Sequence, residues 1–424
     1  MSLDGAKSTS PWDRWTYYPG PATHILQCDS RTQITTLRSA VGEEQRWQDP
    51  LAALVWLSNQ CTEPPITGPP FKGGWIGNLS YDLGRLFENL PNRAADDLNL
   101  PLFTFTLHHQ VIAIDHLQKI AYDCRRFGSP ITNNLRSERP IQFEPSFSFS
   151  AVAPQSDFIR SAYEAAVQRA IDYIAAGDIF QVNLAQRFTT GLPISPEQLY
   201  GDLHHRYPAW FGAFLHYGDH ALLCNSPELF LRITPQGNDR RILTRPIKGT
   251  RPRGPELDRE LLNSSKDQAE LNMVIDLERN DLGRICQIGT VKVTELRTIE
   301  THPTVFHGAA TIEGLLVDGV NLVDILRATF PGGSVTGAPK IRAMEIIEEL
   351  EPVRRGPYCG AIGYLSVDGH IQFNLAIRTM VAKANRLYIS VGGGIVADSQ
   401  PAAEYDETIV KTRAMFESLA RFSK

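Results

Sequence analysis

Thiol chemistry is scarce in this chain. Six cysteines, Cys28, Cys61, Cys124, Cys224, Cys286 and Cys359, are scattered over 424 residues with no Cys-x-x-Cys pair and no zinc-type spacing. That excludes a disulfide framework and suits a reducing compartment. Long apolar runs are missing too. The longest, such as Leu51–Leu57 and Val111–Ile114, fall far short of the roughly 20 residues that cross a bilayer. The N-terminal stretch is broken by Asp4, Pro11, Asp13, Pro19 and Pro21, and it holds no apolar core of a signal peptide. A cytoplasmic protein without a membrane span is the expectation. Positive charge is also in deficit: 42 Lys and Arg against 47 Asp and Glu leave −5. A nucleic-acid binder would show a dominant basic stripe. A small anionic ligand stays open, because a local cationic site can oppose the net sign. No internal repeat and no low-complexity tract occurs.

What is present is ordinary globular material, 42% hydrophobic and 21% charged, enough for a large core. Residues 1–150 hold short strands at Leu102–Leu107 and Gln110–Ile114 and a helix at Pro50–Gln60 with Leu51, Leu54, Val55 and Leu57 on one side. The stretch Ser129–Gln155, with Pro130, Pro140, Pro145 and Pro154, reads as a linker. Ser156 is expected to cap a helix in which Tyr163, Ala166, Val167, Ala170, Ile171 and Ile174 recur with helical period, closed by Gly177 at C′. Strands then dominate until a helix over Glu256–Asn280, and another helix follows Pro339 to Glu349. Ile371, Phe373, Leu375 and Ile377 alternate with Gln372, Asn374, Ala376 and Arg378, which predicts a half-buried strand. Asp368-Gly369 and Ala384-Asn385 supply turns around it, and Ser399-Gln400-Pro401 opens a last helix. Strands in hairpin order with helices between groups indicate α+β and not a doubly wound parallel sheet.

Several segments carry candidate chemistry. Asp267 and Glu270 share a helix face, as do Glu404 and Glu407, with Lys411 four residues further on. They read either as solvated faces or as carboxylates from two helices holding Mg²⁺ across a cleft. Pro331-Gly332-Gly333-Ser334-Val335-Thr336-Gly337-Ala338-Pro339-Lys340 is a glycine-rich loop before a helix. It is a tight connection or an anion cradle, and it is not a Walker A loop, which requires Lys-Ser/Thr after the last glycine. Arg245 to Gly254 packs four cations between prolines and glycines. This is a solvated basic loop, an anion site, or the seat of an amine whose pKa falls enough to attack carbon. Lys248 is the candidate, since arginine does not lose its proton. Glu228, between apolar neighbours in Ser226-Pro227-Glu228-Leu229-Phe230, is a strand-end carboxylate or a protonated general acid. His307 is a structural histidine or a catalyst. Arg378 is a strand-face ion pair or a bidentate clamp for a carboxylate.

Taken together, these segments resemble the chorismate-utilising enzymes. The match runs in order through Gly177–Leu184, Ser226-Pro227-Glu228, Pro246–Gly254, Ala269-Glu270, Asp276–Asp281, Pro331–Lys340, Gly392–Val396 and Glu404–Glu407, with Phe71–Gly77 and Tyr81–Gly84 upstream. The resemblance implies antiparallel β-sheets packed as a sandwich with helices outside. It divides the chain into a sheet-rich N-terminal domain over 1–150, the place of regulatory and partner contacts, and a chorismate-binding catalytic domain over 156–420. Lys248 stands where anthranilate synthases carry alanine, so the likeness is to component I of aminodeoxychorismate synthase. The remaining length has no room for an ammonia-producing domain, so a separate glutamine amidotransferase subunit is the expected partner. The implied roles are Lys248 as nucleophile, Glu228 as general acid and His307 in the active site. Mg²⁺ would rest on Glu270 and Glu407, with Glu404 and Asp267 beside it; Asp267 is one methylene short of the usual glutamate. Chorismate's carboxylates would meet Lys411, Gly392, Gly393 and Gly394 at one end and Arg378 and Tyr364 at the other, with Thr336 and Gly337 also among the substrate-binding residues.

Overall fold

The computed structural model describes residues 2–4, 10–61, 63–65, 67–125, 153–302 and 305–422. The expected linker lies outside these residues as far as position 152. The helices are α1 (Pro50–Ser58), α2 (Arg160–Ala175), α3 (Pro196–Arg206), α4 (Leu257–Asn263), α5 (Ser265–Gly283), α6 (Leu322–Thr329), α7 (Lys340–Leu350) and α8 (Pro401–Ala420).

Period-2 patterning sorts side chains between layers. In Phe103–His108, the side chains of Phe103, Phe105 and Leu107 enter one core layer. In Gly74–Leu79, Trp75 and Leu79 join that layer while Ile76 points into the opposite one. The strands build two sheets, of 11 and 12 strands. The first runs from Ile120–Arg125 through Gln110–Asp115, Trp15–Pro19, Ser2–Asp4, Phe211–His216, His220–Ser226, Thr379–Lys383 and Arg386–Ile395 to Gln181–Gly191, which pairs with Gln155–Ser156 and also with Gly337–Ala338. The second runs from Gly42–Trp47 through Thr35–Ser39, His24–Cys28, Phe103–His108, Gly74–Leu79, Ala361–Ser366, Ile371–Leu375, Leu229–Gln236 and Asp239–Arg245 to Val305–Leu315, which also pairs Ile247–Pro252 and Lys292–Thr301.

The sheets face each other across a layer that takes Tyr17, Val111, Ala213, Leu215, Leu222 and Val381 from the first and Ile76, Ile362 and Tyr364 from the second. Helices cover the outer faces: α1, α5 and α6 on the second sheet, α3 and α8 on the first. Helices α2 and α7 pack on Val182, Leu184 and Ile395. This is the α+β sandwich expected from the sequence. Ser2–Asp4 pairs with Phe211–His216, and Gly74–Leu79 with Ala361–Ser366. The boundary at 150 therefore divides the chain and not the sheets, which both halves share.

Local detail departs from the sequence reading in three places. Ser156 does not cap α2; it lies in a two-residue strand and its hydroxyl donates to Gln186, while Ile159 is the N-cap. The helix expected over Glu256–Asn280 breaks at Ser264, whose side chain caps α5 at the Asp267 amide, and Arg297 donates to the Leu261 and Ser264 carbonyls at the break. The strand expected to carry Arg378 ends at Leu375. Arg378 instead turns with φ 50°, so its side chain leaves the alternation. All six cysteines are free, and among the described residues no helix is long and apolar enough to cross a membrane.

Candidate active site

The glycine-rich loop is bedded on α5. A Cβ on Gly333 would lie 2.4 Å from Leu277 Cδ2, so only glycine allows this approach. Glu278 accepts from the Gly333 amide at 3.2 Å, and Lys340 Nζ donates to Asp281 at 2.6 Å and to the Thr329 carbonyl at 2.9 Å. The Asp276–Asp281 motif thus holds both ends of the loop. Gly337 has φ 146°, and a Cβ there would lie 2.2 Å from the Gln181 carbonyl. The Thr336 hydroxyl is fully buried and donates to the Gly332 carbonyl at 3.0 Å. Thr336 and Gly337, expected to touch substrate, shape the loop itself.

The residue that the loop presents to the site is Ser334. Its hydroxyl donates to Glu228 Oε1 at 2.7 Å, and its carbonyl accepts from Lys248 Nζ at 3.5 Å. Glu228, 5% exposed, has its pKa pushed up to about 7 by burial, against the lowering effects of Ser334, Lys248 and the Ile247 amide. Burial also pushes the Lys248 ammonium below its ordinary range, opposed by Glu270, Glu228 and Glu407 and assisted by Lys411. A carboxylic acid and an amine thus stand side by side, each drawn toward its neutral form.

Glu270 on α5 and Glu407 on α8 both act on Lys248, so the two helices converge as the sequence suggested. Gly393 lies under this group: a Cβ on it would be 3.3 Å from Glu404 Oε2, 3.7 Å from Lys411 Nζ and 3.9 Å from Glu407 Oε1. Gly394 comes as close to Lys248 Nζ, at 3.7 Å. Lys411 pairs with Glu407 at 2.7 Å and donates to the Gly392 carbonyl at 3.0 Å. Glu404 accepts from Ser399 at 2.6 Å. Asp267 is turned away, paired with Arg251 at 3.0 Å. Among the described residues no three His, Cys, Asp or Glu side chains could hold a metal ion by themselves. Two carboxylates facing one cleft nevertheless fit Mg²⁺, which commonly takes one or two and fills its other positions with water and ligand oxygens.

On the far side, Arg378 is desolvated, which pushes its pKa down, and it faces Glu228 and His307. Among the described residues no carboxylate forms an ion pair with it. A half-buried guanidinium in that state is poised for an anionic ligand. His307 bonds Thr250 Oγ1 through Nδ1 at 2.9 Å, leaving Nε2 buried without a partner among the described residues. Burial, with Arg378 and His302, holds His307 neutral, well below the ordinary imidazole range. Tyr364 does not belong with Arg378. It is 2% exposed in the layer between the sheets, with its ring 4.9 Å from Phe71 and 5.6 Å from Tyr17. Strand alternation turns it inward.

Three polar residues of the site were not singled out by sequence reasoning. Ser334 lay inside the loop motif but carried no signal of its own. Gln181 and Asn183 lie in the Gly177–Leu184 motif, opposite the glycines of Arg386–Ile395. Among the described residues both Gln181 side-chain amide atoms and Asn183 Oδ1 are buried without partners, and Gln181 Nε2 would be 2.7 Å from a Cβ on Gly394.

The family profile described as chorismate binding enzyme matches residues 9–417. The chain is 42% identical to anthranilate synthase component 1 of Thermus thermophilus, over 89% of this chain and 84% of that one. It is 39% identical to aminodeoxychorismate synthase component 1 of Salmonella typhimurium, over 99% and 92%. The crystal structure of anthranilate synthase component I from Streptococcus pneumoniae superposes with TM-score 0.80 at 31% identity, covering 95% of this chain and 92% of that one. The chain belongs to the chorismate-binding enzymes.

Proposed function

We propose that the chain is a component I type enzyme that converts chorismate and ammonia to 4-amino-4-deoxychorismate, with ammonia delivered by a glutamine amidotransferase subunit. Identity alone does not separate this reading from anthranilate synthesis, since relatives of both kinds stand near 40%. The observation that carries it is Lys248, an amine whose pKa burial pushes down, linked through Ser334 to Glu228, whose pKa burial pushes up to about 7.

The chemistry divides into two displacements. The free amine of Lys248 adds at C2 of the ring, the ring double bonds shift, and the C4 hydroxyl leaves as water with the proton of Glu228. Ammonia then adds at C4, the double bonds shift back, and Lys248 leaves as the amine. The enolpyruvyl group is retained throughout. Arg378 would clamp the carboxylate at one end of the substrate, and Lys411 with the Gly392–Gly394 segment would meet the ring carboxylate at the other. His307, held neutral and fixed by Thr250, would offer Nε2 as an uncharged hydrogen-bonding group. Mg²⁺, held by Glu270 and Glu407, would neutralise the ring carboxylate.

The test is product analysis with chorismate, ammonium salt and Mg²⁺. A product that is 4-amino-4-deoxychorismate by mass supports the reading, and fluorescent anthranilate overturns it. Intact mass of the enzyme should show a chorismate-derived adduct that Lys248→Ala abolishes; persistence of the adduct removes Lys248 as nucleophile.

A further inference from the structure

We infer that Arg355 is a positioning residue for the acid–amine pair, acting through the glycine-rich loop. This rests on the roles just given to Glu228 and Lys248. Arg355 and Glu351 are each 6% exposed. The guanidinium is bidentate on Glu351, at 2.9 and 2.6 Å, and gives two further donors to carbonyls, Val335 at 2.8 Å and Asn183 at 2.7 Å. Glu351 accepts from the Ala185 amide at 2.8 Å, and the Asn183 amide donates to the Thr336 carbonyl at 2.8 Å. The face of Tyr81 covers the guanidinium at 4.7 Å.

The fork therefore stitches residues 335 and 336 to the strand Gln181–Gly191, which also carries the Gln181 side-chain amide and Asn183 Oδ1, both without partners among the described residues. Ser334 is the next residue in the loop. On its other side Gly333 is fixed to Glu278, so the only stretch free to present its hydroxyl and carbonyl is Ser334 itself. Lysine cannot replace this fork, because three acceptors in two directions need a planar guanidinium. Displacing Ser334 by a fraction of an ångström would lengthen its bonds to both Glu228 and Lys248 together.

The experiment follows chorismate consumption by Arg355→Lys across pH, beside the parent enzyme and Glu228→Gln. The groups that face Glu228 are Ser334, Lys248, Glu300, Glu278, Arg378 and Cys359, and Arg355→Lys replaces none of them. The expected result is a fall in kcat of about 10²-fold, little change in KM, and a displaced alkaline limb. If Arg355→Lys lowers Tm but keeps kcat and the limb, the pair is merely structural and the inference fails. If Arg355→Lys does not fold, Glu351→Gln, which keeps an acceptor for the Ala185 amide, takes its place with the same outcomes. Should Glu228→Gln keep the parent's limb, the acid assignment fails; a kcat loss in Arg355→Lys then still supports the positioning role through Lys248.

Discussion

The hydroxyl of Ser334 donates to Glu228 Oε1 at 2.7 Å, while the same residue's carbonyl receives Lys248 Nζ at 3.5 Å. One loop residue thereby joins the acid and the amine, and the pH behaviour of the site follows from that small group.

Activity should fall as pH rises through about 7, where Glu228 loses its proton. Glu228→Gln removes that limb and lowers kcat by about 10²–10⁴-fold, read as chorismate consumption against pH. Stability should move the same way. The folded pKa of about 7 lies above the ordinary 4.5, so the folded state binds this proton more tightly, and stability is lost as pH climbs from 4.5 through 7. Glu228→Gln should accordingly be more stable than the parent above pH 7 by on the order of 1–3 kcal/mol, measured as a rise in denaturation midpoint that vanishes near pH 4.5.

The three consecutive glycines should respond to alanine differently. A Cβ on Gly392 would meet the Leu184 carbonyl at 2.6 Å, a clash within the sheet. On Gly393 it would meet Glu404, Lys411 and Glu407 at 3.3 to 3.9 Å. Gly392→Ala should lower Tm, whereas Gly393→Ala should keep Tm and raise KM for chorismate by about tenfold, as expected from roughly 1.4 kcal/mol of lost binding. Equal loss of Tm in both would contradict the looser, side-chain contacts of a Cβ on Gly393.

Chelation of Mg²⁺ should suppress turnover. Glu270→Gln and Glu407→Gln should each raise the Mg²⁺ needed for half-maximal activity by at least about tenfold. Asp267→Asn should shift it much less, because Asp267 already pairs with Arg251. An effect of Asp267→Asn as large as the other two would place Asp267 on the metal.

Tyr364→Phe should leave KM for chorismate unchanged within about twofold and cost about 1 kcal/mol of stability, the usual value of one hydrogen bond. Urea unfolding and steady-state kinetics on the same preparation separate the two effects. A large rise in KM would return Tyr364 to the substrate.

What the sequence determined by itself was chemical and local. The period-2 strands, the Gly177 helix stop with φ 81°, the Asp/Glu spacing on α5 and α8, and the lysine within its basic loop were legible because each depends on neighbours a few residues away. The tertiary structure decided the rest. Glu228, Lys248, Ser334 and Arg378 come from four separate segments, and only their burial together moves Glu228 toward neutrality and leaves Arg378 without an ion pair. Tyr364 and Arg378 show the same limit from opposite sides. Tyr364 sits in a regular strand whose alternation turns it into the core, while Arg378 escapes the alternation through one left-handed residue. Which way a side chain faces depends on where its strand ends, and sheet pairing across the whole chain sets that end.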